Sequence, residues 1–190
     1  MEERRTNLSY HCNCQKCQRR LRVNNTFRSL WEQHSFWTYN FIASTIHKLP
    51  DASFVAARLL RNPEDFGAEL SHFYTKQEAY EFTKLLKEHL MIAGEWLNAV
   101  MVNNVRDAER QKRRWYQNAE EIAKYLSSIN PFWCRKAWTD MFFEHLAFVE
   151  SLADLRLCGD YAETIKVFDK MEKQALMMAD NMTEGILKQF

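Results

Sequence analysis

The chain has 190 residues, 46% hydrophobic and 27% charged, and its 26 basic and 25 acidic residues leave a formal net charge of +1. That balance excludes the disordered class and the basic footprint of a nucleic-acid binder, and the length suits a domain with a substantial core. Four glycines and three prolines are too few for the many turns of an all-β or doubly wound fold, so a few long elements must fill the chain.

No apolar run reaches the roughly 18 residues that span a bilayer, and the start, MEERRTNLSYHCNCQ, lacks the apolar middle of a signal peptide. A cytoplasmic protein with no membrane partner is therefore expected. In that compartment the five cysteines read as thiols or metal ligands rather than disulfides. The basic cluster 110–114 (RQKRR) lies among Asp107, Glu109, Glu120 and Glu121, which reads as a solvated helix face and not a nucleic-acid patch. Self-association is left open.

Residues 1–24 are polar and basic and show no helical stripe, so a flexible cysteine-bearing tail is expected ahead of a helical domain over 25–190. From Asn25, the positions Phe27, Leu30, Trp31, His34, Trp37, Phe41 and Ile42 follow the three-and-four spacing of one helix face, up to Pro50. A shorter helix follows Asp51 and ends at Asn62-Pro63, with a further helical piece over 64–73. Thr75 and Glu78 form a capping box that opens a second long helix through Leu85, His89, Ile92 and Trp96. Asn103-Asn104 breaks it, and a third helix runs to Ile129, ahead of Asn130-Pro131. The fourth passes through Trp138, Phe142, His145 and Leu152 to a cap at Gly159; the fifth starts at Asp160 and runs to the end. The expected fold is all-α: an antiparallel bundle of about five helices, ferritin-like in character, joined by short connections. No solenoid period is evident, and the one echo is Glu-His-Leu at 88–90 and again at 144–146.

Four ligand-capable residues fall at the centres of apolar arcs on four long helices: His34, His89, His145 and Glu172. In an antiparallel bundle helix midpoints share a level, so these side chains can converge. Burying them without partners is expensive, and a divalent cation held by neutral imidazoles and a carboxylate removes the cost. The expected cofactor is a transition metal: iron, manganese or zinc. Glu88 and Glu144, each next to a histidine, stand as further ligands, imidazole acceptors or surface charges, and with Asp180 they form a second tier of candidate metal ligands. The rival expectation is a non-catalytic scaffold or interaction module with a buried polar network. The Glu-x-x-His pairing of di-iron bundles is missing from the long helices, no nucleophile or phosphate loop is present, and no reaction is assigned.

The tail carries His11, Cys12, Cys14 and Cys17 in one clump, whereas structural zinc sites draw ligands from two separated pairs, so a reduced thiol tail is the favoured reading. Most of the six tryptophans fall on inward arcs and are expected to be core residues.

The phrases LWEQHSFWT (30–38), LLRNPEDF (59–66), KEHLMIA (87–93), WYQNAEEIAKYLSSINPFW (115–133), FFEHLAF (142–148) and FDKMEKQALMMADNMTEGILKQF (168–190) together resemble a bacterial family of small, uncharacterised helical proteins. Some of its members carry the label acetylglutamate kinase. Such a kinase needs a glycine-rich phosphate loop on an α/β sheet, which four glycines in a helical chain cannot supply. The resemblance takes in His34, His89, His145, Glu172 and Asp180, and leaves the cysteine tail outside it. A more distant likeness is to ferritin-like metal-binding bundles.

Overall fold

The structure, a computed structural model, describes residues 15–190. These residues form six helices and no strand: α1 (Gln15–Ile46), α2 (Ala52–Leu70), α3 (Lys76–Met101), α4 (Val105–Ile129), α5 (Arg135–Leu157) and α6 (Tyr161–Gln189). Each helix packs on its neighbours in chain order, and α6 packs on α1, so the six close into a ring with α1 and α5 also touching across it. The core is apolar and aromatic, with Trp31, Phe66, Phe82, Trp115, Trp138 and Phe142 among its largest fully buried side chains.

The helix count is six rather than about five, for a reason visible at Pro63. Asp51 does precede a helix, but that helix does not stop at Asn62-Pro63; it continues to Leu70 as one element. Proline in a helix interior removes one hydrogen bond and costs about 3 kcal/mol. The burial of Leu59, Pro63, Phe66 and Leu70 along one face offsets that cost.

The first helix also begins earlier than its apolar stripe suggests, at Gln15 instead of Asn25. Only Val23 is buried before Phe27, so hydrophobic periodicity is nearly silent there. The added turns are held by polar contacts with α6: Arg20 pairs with Glu184, while Arg28 and Asn24 both reach Asp180 Oδ1 at 2.8 Å. Of the expected tail, 15–24 is thus helical. His11, Cys12 and Cys14 lie outside the described residues, and Cys17 is exposed on the first turn of α1.

The ring is built from one supersecondary unit used three times. The turns α1–α2, α3–α4 and α5–α6 each carry a residue in the left-handed region: Lys48 (φ 50), Asn103 (φ 54) and Gly159 (φ 77). At each turn the next amide closes a six-to-one bond onto the helix just ended: Leu49 to Ser44, Asn104 to Ala99 and Asp160 to Leu155, all at 2.9 Å. These are three Schellman turns in one register, 55 or 56 residues apart. The sequence shows only the glycine of the third plainly. Lysine and asparagine adopt the same strained conformation in the others because the helices on either side impose it.

The RQKRR stretch lies on α4 as a charged outer face. Lys112 pairs with Glu150 at 2.5 Å, Arg114 with Glu95 at 2.7 Å, and Arg110 with Asp107 at 2.5 Å. No helix among the described residues is long and apolar enough to cross a membrane.

Candidate metal centre

The three histidines expected at the arc centres are all buried: His34, His89 and His145 are 3%, 2% and 2% exposed. They come from α1, α3 and α5, the first helix of each hairpin. The rings of His34 and His145 lie 5.4 Å apart, and all three imidazoles border one cavity of about 20 Å³. That volume holds a single guest of atomic size. The rest of its wall is apolar apart from the Thr38 hydroxyl and the Trp96 and Trp115 indoles, with Ile42, Leu59, Leu97 and Val149 contributing.

Each histidine is held by the same device, which the sequence reading did not find. An amide side chain on the second helix of the hairpin accepts from Nδ1 of the imidazole. Asn62 Oδ1 takes it from His34 at 3.1 Å, Asn118 Oδ1 from His89 at 2.8 Å, and Gln174 Oε1 from His145 at 3.0 Å. The NH2 end of each amide then donates to the main-chain carbonyl four residues before the histidine: Leu30 at 3.0 Å, Leu85 at 3.3 Å and Met141 at 2.7 Å. A carbonyl can only accept, so the amide orientation is fixed; its oxygen must face the imidazole and Nδ1 must carry the proton. The tautomer follows. Each Nε2 presents a lone pair.

What meets that lone pair differs among the three hairpins. Three residues before the tethering amide the hairpins carry Leu59, Trp115 and Met171. Trp115 donates its indole N–H to His89 Nε2 at 3.1 Å. Leucine and methionine have no hydrogen to give. Among the described residues His145 Nε2 is buried without a partner, and so is the hydroxyl of Thr38. The Nδ1 edge of His145 faces α6, which contributes nothing to the cavity wall, and Nε2 lies on the other side of the ring.

Withdrawal from water keeps all three rings neutral. Burial pushes His34 and His89 from the ordinary 6.5 down to about 3, and His145 to about 4. For His34 the neighbouring His145 adds to the effect of burial, because two protonated rings this close repel; the amide tethers pull weakly the other way.

The carboxylates do not join this group. Glu172 is half-buried and absent from the cavity wall; the buried polar position on α6 is Gln174, two residues on and 2% exposed. At about 100° per residue Gln174 lies about 160° around the helix from Glu172, and the inward stripe runs through Val167, Met171, Gln174, Ala175, Met178 and Met182, while Ile165 on the side of Glu172 is exposed. Glu88 and Glu144, of the second tier, are exposed, about 100° around from their histidines. Asp180 is bound to Arg28 and Asn24, and these contacts hold its carboxyl below the usual range against the opposing effect of partial burial. Its role is to fasten α6 to the start of α1.

Among the described residues no group of three or more His, Cys, Asp or Glu side chains closes on a common point as a metal shell would. The arrangement is three anchored imidazoles around a small void, one of them already bonded to an indole. Five of the six tryptophans are buried, as expected, and Trp37 is half-buried beneath the Arg58 guanidinium, 5.1 Å from its ring.

Comparison of the chain with protein-family models, with curated proteins and with solved structures gave no match.

Proposed function

We propose that this chain is a metal-binding helical bundle that takes one transition-metal ion into the core cavity, with Nε2 of His34, His89 and His145 as donors. The observation that carries the reading is the set of three amide tethers. Each fixes an imidazole in the neutral Nδ1–H tautomer, which leaves the ligating lone pair on the other nitrogen, and all three rings border the same void. A side-chain acceptor on the non-ligating nitrogen is how metal-bound histidines are oriented and made more basic. The rings are neutral well below pH 7, so an ion has no proton to displace. His89 joins by exchanging the Trp115 N–H for the ion. With Glu172 out of the group the donors are all nitrogen, which favours zinc or copper over manganese. The likeness to ferritin-like bundles is one of principle: the site lies in the core between facing helices.

Metal analysis of protein purified without a nickel column tests this. Close to one ion per chain is expected, reduced by His145→Ala and by His34→Ala and unchanged by Glu172→Ala. Metal-free protein that takes up no ion on titration would end the reading.

A second reading is favoured by the Trp115–His89 bond and by the lack of a closed shell: the imidazoles and amides are a polar network that fixes the pairing of the three hairpins in a non-catalytic scaffold. It expects the paired change His145→Leu with Gln174→Leu to be neutral or stabilising, since replacing both partners leaves no buried polar atom of the pair unbonded. Tightly retained metal and destabilisation on chelation would count against it.

A further inference from the structure

We infer that the end of the ring formed by the three Schellman turns is a docking face for a second copy of this chain, whatever the core cavity holds. Register puts the three turns at one level. His34, His89 and His145 border one cavity, and each stands 14 residues before the left-handed residue of its turn, Lys48, Asn103 or Gly159. At about 1.5 Å per residue the three tips end at the same height, about 21 Å beyond the cavity. The first and third tips touch: the rings of His47 and Tyr161 lie 5.8 Å apart. Turns ordinarily carry small polar residues. Here each tip carries an exposed apolar pair, Leu49 with Phe54, Val102 with Val105, and Leu157 with Tyr161. Phe54, Val102 and Val105 are 76%, 74% and 66% exposed, and apolar groups gathered in this way on a surface mark an interaction site.

Charge and size choose the occupant. Beside each apolar pair stand one cation and one anion: Lys48 and Asp51, Arg106 and Asp107, Arg156 and Asp160. An anionic lipid surface attracts faces with an excess of lysine and arginine, and at these tips the signs balance. A second copy turned over by a two-fold axis brings the same balance. Its apolar pairs can lie on these while its cations meet these anions, an isologous contact with an apolar centre and a mixed-charge rim. Six helices about 10–12 Å across present an end of roughly 500–700 Å² in cross-section, and more as accessible surface. That is comparable with the area of about 800 Å² that each partner contributes to a standard interface. A single bound helix, about 10 Å wide, would leave at least one tip uncovered.

Sedimentation velocity of the full chain across micromolar concentrations tests this, with reductant present because Cys158 is exposed on the third tip and could cross-link copies. A reversible two-chain species is expected. Phe54→Glu and Val102→Glu change exposed side chains, so helicity by circular dichroism should stay as in the wild type. Each should weaken dimerisation about a hundredfold, because a carboxylate is then buried in the contact without a partner. Phe132→Glu, equally exposed but in the α4–α5 connection at the opposite end, should leave the dimer intact. A chain that stays monomeric up to millimolar concentration overturns the proposal. So does a dimer that survives both tip changes, or one that dissociates with Phe132→Glu. Monomer that co-sediments with phosphatidylserine vesicles, and loses them on Phe54→Glu, gives the face to a membrane and overturns it too.

Discussion

Trp115 Nε1 donates to His89 Nε2 at 3.1 Å, and this single bond breaks the equivalence of three otherwise matched hairpins. In the first and third hairpins the corresponding residues are Leu59 and Met171, so the lone pair opposite them faces hydrocarbon or the cavity. An orphaned buried acceptor costs about 1–3 kcal/mol. Trp115→Phe therefore has two expected consequences: a loss of about that much stability in urea unfolding without metal, and a smaller loss with metal, because the freed His89 becomes a third donor. An equal loss in both conditions would show that Nε2 of His89 never leaves the indole.

The amide tethers make a second prediction. Gln174→Leu strips the acceptor from His145 Nδ1 and leaves both ring nitrogens unbonded, at an expected cost of about 2 kcal/mol. Gln174→Glu keeps an acceptor and adds a negative charge, which raises the pKa of His145. Nitrogen NMR of His145 should then show one tautomer in the wild type, mixed tautomers in the leucine variant, and protonation near neutral pH in the glutamate variant. A wild-type ring protonated at Nε2 would contradict the tether geometry.

Acid stability follows from the same burial. His34, His89 and His145 have folded pKa values lowered to about 3, 3 and 4 from 6.5, so below pH 6.5 the unfolded chain binds protons that the folded chain refuses. Their contribution is whole above pH 6.5, and stability falls as pH drops towards the folded values, by up to about 1.4 kcal/mol per pH unit for each ring. Three rings together approach about 4 kcal/mol per unit below pH 5.5, against a total of about 5–15 kcal/mol for a domain. Helicity followed by circular dichroism should collapse cooperatively between about pH 4 and 5.5, before the rings protonate in place. His145→Gln should move the midpoint to lower pH. A helical signal unchanged down to pH 3 would mean that the rings reach water.

Two glycines give a contrast in rigidity. A Cβ at Gly185 would overlap the indole of Trp133, a fully buried ring that cannot rotate away, whereas a Cβ at Gly67 would meet Thr83 Oγ1, which can swing aside at the expense of its bond to Ala79 O. Gly185→Ala is expected to cost roughly 3 kcal/mol and Gly67→Ala about 1 kcal/mol or less, once helix propensity is credited to both. Thermal unfolding of the pair checks this. The reverse order would place the Trp133 ring elsewhere.

The helices were legible wherever burial leaves a three-and-four stripe or a terminus carries its own cap. The capping box Thr75–Glu78 is present as read, as is the cap at Asp160, while Asn104, read only as a break, caps α4. Legibility failed where tertiary contacts outweigh local preference. Pro63 reads as a stop and is overridden by the apolar face of α2, while the opening turns of α1 are held by ion pairs to α6, some 150 residues away, that leave no local trace. At the candidate site the three histidines could be found because an imidazole among leucines and aromatics is conspicuous. Their partners could not, because Asn62, Asn118 and Gln174 are ordinary helix residues until a second helix is laid beside them. The repeated Glu-His-Leu at 88–90 and 144–146 falls at matching places in the second and third hairpins, where the first has Gln33-His34-Ser35.

Taken alone, then, the amino-acid order determined an all-helical chain with three inward imidazoles, because both properties follow from periodicity along a single helix. Closure of six helices into a ring, the choice of Gln174 over Glu172 for the buried position, and the direction of each Nε2 were decided only in three dimensions. Those depend on which side chain a neighbouring helix can bond, and a one-dimensional pattern carries no record of the neighbour.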